Sequence, residues 1–312
     1  MSTKYPFTVN PALTQIAMAY SNRAYIADQV LPRVPVAGET FEYLKHNLED
    51  RFTIPDTTIG RKGRANQVEF GSTLVPGSTK DYGLEDVIPV ADIDAAKAMP
   101  NYDPKGNAVE GLQELIALDR ERRVANLVFN LNTYPAANRA TLSGTSQWSD
   151  YTNSDPIDDL RDALATPIMR PNKIVFGWAT WNVLAANPKV ATAIYGANST
   201  GKIITREELA RVLEVQEILV GQSLANTAKP GQTVSLANLW GKHCALLYSV
   251  RPAGTQNGLT FGFTAQYGSR VAFDKFDSDI GLRGAHAVKT GESVGEIISA
   301  SDVGYFIQNA VA

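Results

Sequence analysis

The chain of 312 residues holds one cysteine, Cys244, and three histidines, His46, His243 and His286. A single cysteine excludes an intramolecular disulfide, so no covalent staple closes the fold. The histidines stand alone, with no Cys-x-x-Cys or His-x-x-x-His spacing, and no structural zinc pattern results. No apolar run approaches the roughly 20 residues that span a bilayer. The opening MSTKYPFTVNP lacks the apolar centre of a secretory signal, and no membrane partner is expected. Positive charge is also scarce: 29 Lys and Arg stand against 32 Asp and Glu, a net −3. Gripping nucleic acid by its phosphates needs a strong positive field. If DNA is nearby, this chain encloses it rather than grips it. What is present, 44% hydrophobic and 20% charged residues, suits a globular chain with one large domain or two linked ones.

Asn10-Pro11 reads as a helix start, with Asn10 as N-cap and the helix running to about Tyr20. Pro32 and Pro35 break the chain, and Phe41 to Leu44 can be extended. From about Glu39 to Val90 no helical period appears. Gly60, Gly63, Gly71, Pro76, Gly77 and Gly83 separate short β-prone pieces such as Gln67 to Phe70 and Thr73 to Val75. A structureless loop of this length is uncommon in a compact domain, and Phe52, Phe70, Leu74, Val75, Tyr82 and Leu84 are too apolar for a solvated tail. The pattern reads as a long β-hairpin arm, which is marginal alone and needs a partner surface. Asn107, with Glu110 three residues on, predicts the start of the strongest helix. Val109, Leu112, Ile116, Val124, Leu127 and Leu131 give it one apolar face, Asp119 and Arg123 an i,i+4 pair on the exposed side. It should end before Pro135.

The rest reads as α+β. Ser154-Asp155-Pro156 starts a helix to about Ala165, and Lys173 to Phe176 is a buried strand. Helices follow at Thr180–Ala186 and from Thr205 or Arg206 to Val215, then a strand at Glu217–Val220. Further strands are expected at Cys244–Tyr248, Thr260–Gln266, Ala285–Lys289, Gly295–Ser299 and Gly304–Val311.

Motifs with chemistry fail on inspection. Gly196-Ala197-Asn198-Ser199-Thr200-Gly201-Lys202 has phosphate-loop spacing up to the lysine. Ile203 replaces the magnesium-binding hydroxyl, and no buried strand precedes it; a nucleotide-binding enzyme using 196–202 is a remote alternative. Gly221-Gln222-Ser223-Leu224-Ala225 lacks the last glycine of a nucleophile elbow, and no histidine is tied to Ser223. Cys244 sits in an apolar pattern as a small buried hydrophobe. Asp155, Asp158 and Asp159 are explained by a helix dipole, with Asp162 further along. Asp277 to Gly281 begins like a calcium loop but has Val288 where the bidentate Glu belongs. Gly60-Arg61-Lys62-Gly63-Arg64 is the densest basic patch. Its place in the arm favours acidic groups of a neighbouring subunit over solvent or nucleic acid. No catalytic, cofactor or metal residues emerge, so the chain reads as no enzyme.

Four passages together resemble a known family. They are Asn10-Pro11-Ala12-Leu13-Thr14 leading to Ile26 through Pro32; Thr141 to Gly144 with Gln147 to Asp150 and Ser154 to Pro156; Pro171 to Gly177 with Trp181, Leu184 and Asn187 to Val190; and Glu208 to Leu213 through Ile218 to Gly221 and Leu239-Trp240-Gly241. Their order resembles major capsid proteins of tailed bacteriophages with the Hong Kong 97-type fold. The resemblance implies an N-terminal arm at 1–38, an extended E-loop at 39–92, a peripheral domain at 93–189 with part of 275–300 and with the long spine helix, and an axial domain at 190–274 with 301–312. Intersubunit contact is then expected from Arg61, Lys62, Arg64, Phe70, Leu74, Val75 and Tyr82 in the E-loop.

Some relatives cross-link an E-loop lysine; Lys62 and Lys80 lie there, but no residue pattern establishes a bond. About 40 residues precede the loop, so a scaffold is expected to be separate or absent. The implied partners are further copies in pentamers and hexamers of an icosahedral shell, a portal protein, separate scaffold or decoration proteins, and enclosed double-stranded DNA. The implied place is the virion capsid, assembled in the host cytoplasm. An encapsulin-like compartment with protein cargo is the alternative.

Overall fold

The computed structural model describes residues 10–19, 25–46, 53–68, 72–99, 102–196, 199, 201–229, 231–250 and 259–312. The first helix, Pro11–Ala19, starts as the Asn-Pro pair dictates: Asn10 Oδ1 accepts from the amides of Ala12 at 3.1 Å and Leu13 at 3.3 Å. Leu13 and Ala17 bury against Ile88, Val109, Ala272 and Val288, so this part of the arm packs on its own body. A one-turn helix, Ala27–Val30, and strand β1, Arg33–Val36, follow. Strands β2, Thr40–His46, and β3, Ser72–Ser78, pair antiparallel as a separate two-stranded hairpin.

The next strand, β4 at Lys80–Pro89, corrects the arm's extent. It belongs to the body, as the edge of a sheet ordered β1-β11-β12-β4, where β11 is Gly262–Asp277 and β12 is Ala285–Ile298. A short helix, Val90–Ala96, follows where an extended segment was expected to end. The strands expected at Ala285–Lys289 and Gly295–Ser299 are one continuous strand, and β11 runs past Gln266 to Asp277 through a register irregularity between Tyr267 and Val271.

The long helix crosses one face of this sheet. It spans Pro104–Val128, 25 residues, about 37 Å at 1.5 Å per residue. Its cap is Asp103, whose side chain accepts from the Lys105 amide at 3.1 Å, not Asn107, which lies inside the first turns. Val109, Leu112, Ile116 and Val124 are buried, as the spacing predicts, while Leu127 is half-buried. Leu131 is not on the helix: it opens a 3₁₀ turn, Leu131–Thr133, and packs half-buried against the core that holds Val124 and Phe306. The Asp119–Arg123 pair forms, but Arg123 also reaches Glu296 at 2.9 Å, so it ties helix to sheet.

A second sheet is ordered β5-β13-β10-β6-β7: Arg139–Thr141, Gly304–Gln308, Cys244–Leu247, Lys173–Gly177 and Glu217–Gly221. The fully buried run of β6 pairs parallel with β7, so a domain boundary at residue 190 would divide hydrogen-bonded neighbours. On one face Trp148, Leu160, Leu184, Leu209 and Leu213 cover the sheet. They come from helices Pro156–Ala165, Trp178–Ala185 and Arg206–Leu213 and the loop before them. The last has a complete capping box of Thr205 and Glu208. On the other face Val124, Val128, Tyr134, Trp240, Phe261 and Phe306 form a second core. Between β7 and β10 a small hairpin, β8 at Leu224–Asn226 and β9 at Leu236–Asn238, projects into solvent. Glycine is required at Gly221, where a Cβ would stand 2.0 Å from Trp240 Cδ1.

Candidate functional site

Two features stand out: the hairpin, and a charged joint beneath it. The root of the hairpin is amphipathic by alternation. Phe41 and Tyr43 turn toward Val34, Phe263 and Ala265 of the body, with Tyr43 edge-on to Phe263 at 5.9 Å. Val75 stands opposite Tyr43 and is half-buried, while Leu74, on the other face, is 57% exposed. Beyond the paired strands, residues 53–68 are exposed throughout. They hold a local shape: Gly63 N donates to Gly60 O at 2.8 Å, and Asn66 Nδ2 donates to Asp56 O at 2.7 Å. Arg61, Lys62 and Arg64 crown this loop beside exposed Ile54 and Ile59. Phe70 lies outside the described residues. Tyr82 is not on the arm; its ring sits under the Arg123 guanidinium at 3.6 Å, on the body.

The joint is built from charged residues that sequence reading left aside. Arg120 and Glu121, in mid-helix, are 3% and 0% exposed. Glu121 accepts four hydrogen bonds: from Ile26 N at 3.0 Å, Ala27 N at 2.8 Å, Trp240 Nε1 at 2.7 Å and Ser223 Oγ at 3.5 Å. It thereby clasps the N-terminal segment and the loop after β7 to the long helix. Burial pushes its pKa up, opposed by the hydrogen bonds from Ile26, Trp240 and Ala27 and by the Arg120 charge. Alongside, Arg120 pairs with Asp28; Arg33 pairs with Asp28 and with Glu292, the latter at 2.7 Å; Arg270 reaches Glu292 at 3.0 Å. Arms, helix and ribbon thus meet in one network. In the sequence Arg120 and Glu121 stand within a run of five charged residues, Asp119 to Arg123, which reads as a solvated stretch and gives no sign of their burial.

The network sets an acid limit. Burial opposes ionisation of Glu292, yet Arg33, Arg270 and Arg120 hold its pKa below 4.5. Asp28 behaves likewise, below 3.8, under Arg120 and Arg33. A lowered folded-state pKa contributes stability that is present above the unfolded value and is lost as pH falls through the folded one. The subunit's urea midpoint is therefore expected to drop below about pH 4.5, and to drop less steeply in Glu292→Gln. Equal slopes in the two proteins would remove Glu292 from the effect. Glu121, with its raised pKa, works in the opposite sense.

The chemical motifs dissolve. Helix Pro188–Tyr195, not a strand, precedes the near-phosphate loop, and Lys202 Nζ lies over the Tyr195 ring at 4.4 Å; Ala197, Asn198 and Thr200 lie outside the described residues. Ser223 is bonded to Glu121, while His243 Nδ1 accepts from Asn309 N at 3.0 Å. Asp155 caps its helix and Asp159 accepts from Trp148 Nε1 at 2.7 Å. Cys244 is fully buried, which pushes its thiol pKa well up. Among the described residues no group of three or more His, Cys, Asp or Glu could hold a metal ion, and no helix is long and apolar enough to cross a membrane.

An arm on a body of two sheets bridged by one long helix is the Hong Kong 97-type architecture of capsid shell subunits. The profile of the family described as phage major capsid protein E matches residues 109–263. The major capsid protein of Pseudomonas phage JBD67 is 47% identical over 307 residues, covering 98% of each chain. A phage-related protein from Bordetella bronchiseptica RB50 superposes with a TM-score of 0.75 at 23% identity, covering 97% of each chain. The capsid of a native GTA particle superposes with a TM-score of 0.58 at 10% identity, covering 93% of this chain and 91% of that one; these two likenesses speak for the fold. The chain belongs to the phage major capsid proteins. It is a structural subunit of the shell of a phage virion.

Proposed function

We propose that the chain builds an icosahedral head by laying its hairpin over adjacent copies, in pentamers and hexamers whose heterologous contacts close on themselves. The observation that carries this is the loop at 53–68, exposed from end to end with three cations and two isoleucines at its crown. Leu74 and Val75 extend the contact along the hairpin, and Phe70 belongs to the same set. Apolar surface there leaves water only on assembly, at about 25 cal/mol per Å², and many weak contacts in a closed shell reinforce one another. In this reading the hairpin is the E-loop, the four-stranded sheet with the long helix is the peripheral domain, and the five-stranded sheet is the axial domain.

The role is mechanical, with no catalytic step. Double-stranded DNA is enclosed without sequence readout, in keeping with a net charge of −3; a portal protein takes one vertex, and scaffold or decoration proteins are separate chains. Assembly takes place in the host cytoplasm. Electron microscopy of the purified chain is expected to show closed shells of uniform size. A protein that remains monomeric at high concentration would overturn the reading.

A further inference from the structure

Three side chains tie the start of the long helix to the ribbon of β11 and β12. Lys105 is the second residue of the helix, Asp274 lies on β11 and His286 on β12. Lys105 Nζ donates to Asp274 Oδ2 at 2.6 Å and lies 2.9 Å from His286 Nδ1. An ammonium has no lone pair with which to accept. Nδ1 is therefore the acceptor, and the ring is neutral with its proton on Nε2. His286 Nδ1 also lies 3.3 Å from Asp274 Oδ1; with a lone pair on each atom, that contact is repulsive as it stands. The side chains of Lys105, Asp274 and His286 are 22%, 19% and 25% exposed, and the Phe276 ring packs edge-on against the imidazole at 5.5 Å. Burial opposes ionisation of Asp274, yet its pKa stays below 3.8, chiefly under Lys105.

Among the described residues, the other charges nearby are committed or exposed. On the long helix, the Asp103 carboxylate accepts from the Lys105 amide at 3.1 Å. The short helix Val90–Ala96 turns Ile93 inward and leaves Asp92 and Asp94 exposed, with Asp94 paired to Lys97 at 2.7 Å. On β4, Ile88 stands opposite His286, and Asp86, opposite Val288, is exposed. The first helix, Pro11–Ala19, carries no charge. We propose that His286 is a pH switch: its protonation hands Asp274 from Lys105 to His286 and releases the start of the long helix from the ribbon. A proton on Nδ1 removes the acceptor that Lys105 uses, and turns the contact with Asp274 into a charge-assisted hydrogen bond. Asp274 and the imidazolium then sum to zero charge, so Lys105 is no longer drawn to the pair and water takes its ammonium. A tie between two elements becomes a tie within the ribbon. Imidazole is the side chain whose charge ordinarily changes between about pH 5 and 8, so the tie is closed on the alkaline side of that range and open on the acid side. Farther along, Gln113 still holds Thr290 and Arg123 holds Glu296, which confines the release to the first turns. The switch lies within one subunit and stands independently of the arm reading.

Amide hydrogen exchange of the full chain, corrected for the intrinsic effect of pH, tests it. The reporters are the amides from Asn107, whose N donates to Asp103 O at 3.0 Å, to Glu110. Their protection is expected to fall at least about tenfold between about pH 7.5 and about pH 5.0, a local opening rather than global unfolding. The acid end stays above the range in which Asp28 and Glu292 act. His286→Gln, neutral at both values, keeps its protection within about twofold. Lys105→Met lacks the tie from the outset, so its protection at the alkaline value already matches that of the native chain at the acid one and falls no further. A native chain whose protection is unchanged overturns the switch. So does a glutamine variant that falls as far as the native chain, or a methionine variant that still falls about tenfold.

Discussion

Removing residues 56–66 and joining Pro55 to Gln67 is expected to abolish closed shells while the subunit stays folded. The excised loop is exposed at every position and adds nothing to any of the four cores. Shortening a flexible loop changes closure entropy by less than about 1 kcal/mol, so the melting temperature should barely move. Assembly should fail, because burial on the order of 200 Å² of apolar surface at each contact is about 5 kcal/mol, lost at every copy. The deletion must stop there. The hairpin arm as the sequence suggested it runs on through β3 and most of β4, and β4 is a ten-residue strand of the body's own sheet; a cut from 56 to 84 would unfold the subunit and test nothing about contacts. Sedimentation separates shells from subunits, and native-size shells from the 56–66 deletion would refute the arm's role.

The largest loss of subunit stability is expected from Glu121→Ala. The substitution strands the amides of Ile26 and Ala27 and the indole N–H of Trp240, each a buried donor worth about 1–3 kcal/mol when unpaired. Some relaxation and water entry reduce the sum, so about 3–5 kcal/mol is expected, a large part of the usual 5–15. Glu121→Gln preserves the shape and one acceptor oxygen and should cost about half as much. Urea unfolding followed by tryptophan fluorescence measures both. A loss below about 1 kcal/mol for the alanine variant would mean the clasp holds little together.

Local chemistry was legible wherever a few residues decide the outcome. Asn10-Pro11, Ser154-Asp155-Pro156 and Thr205 or Arg206 mark helix starts that the structure reproduces to the residue or nearly so. The run Lys173 to Phe176 could only be a buried strand, and β6 is buried at every position. The long helix was found but its start displaced, because Asn107 with Glu110 three residues on looks like a cap, while the true cap, Asp103-Pro104, repeats the signal at Asn10-Pro11. What was illegible depends on distant partners. β4 is polar and glycine-bearing, and only its pairing with β12 shows that it belongs to the body. The ribbon of β11 and β12 contains Gly268, Gly291 and Gly295, whose sequence signal is that of turns; cross-strand bonding overrides it. At the candidate site the exposed cations of the loop were visible in advance, since exposure is the default for Arg and Lys. Burial of Arg120, Glu121 and Glu292 was not, since no local pattern announces a satisfied charge inside a core.

The strand order of the two sheets bears on how a subunit comes to exist at all. β1 finds its partner in β11, with Arg33 beside Thr264, and β5 finds its own in β13, with Arg139 beside Phe306. In each sheet an early segment must wait for one made far later, and both of these pairs are parallel. Such non-local topology folds slowly, in the millisecond-to-second range, and leaves edges bare in the interval. A nascent chain cannot complete its five-stranded sheet until residue 308 has been synthesised. Prematurely terminated products therefore lack a central strand, and the lattice is closed to them by their own failure to fold.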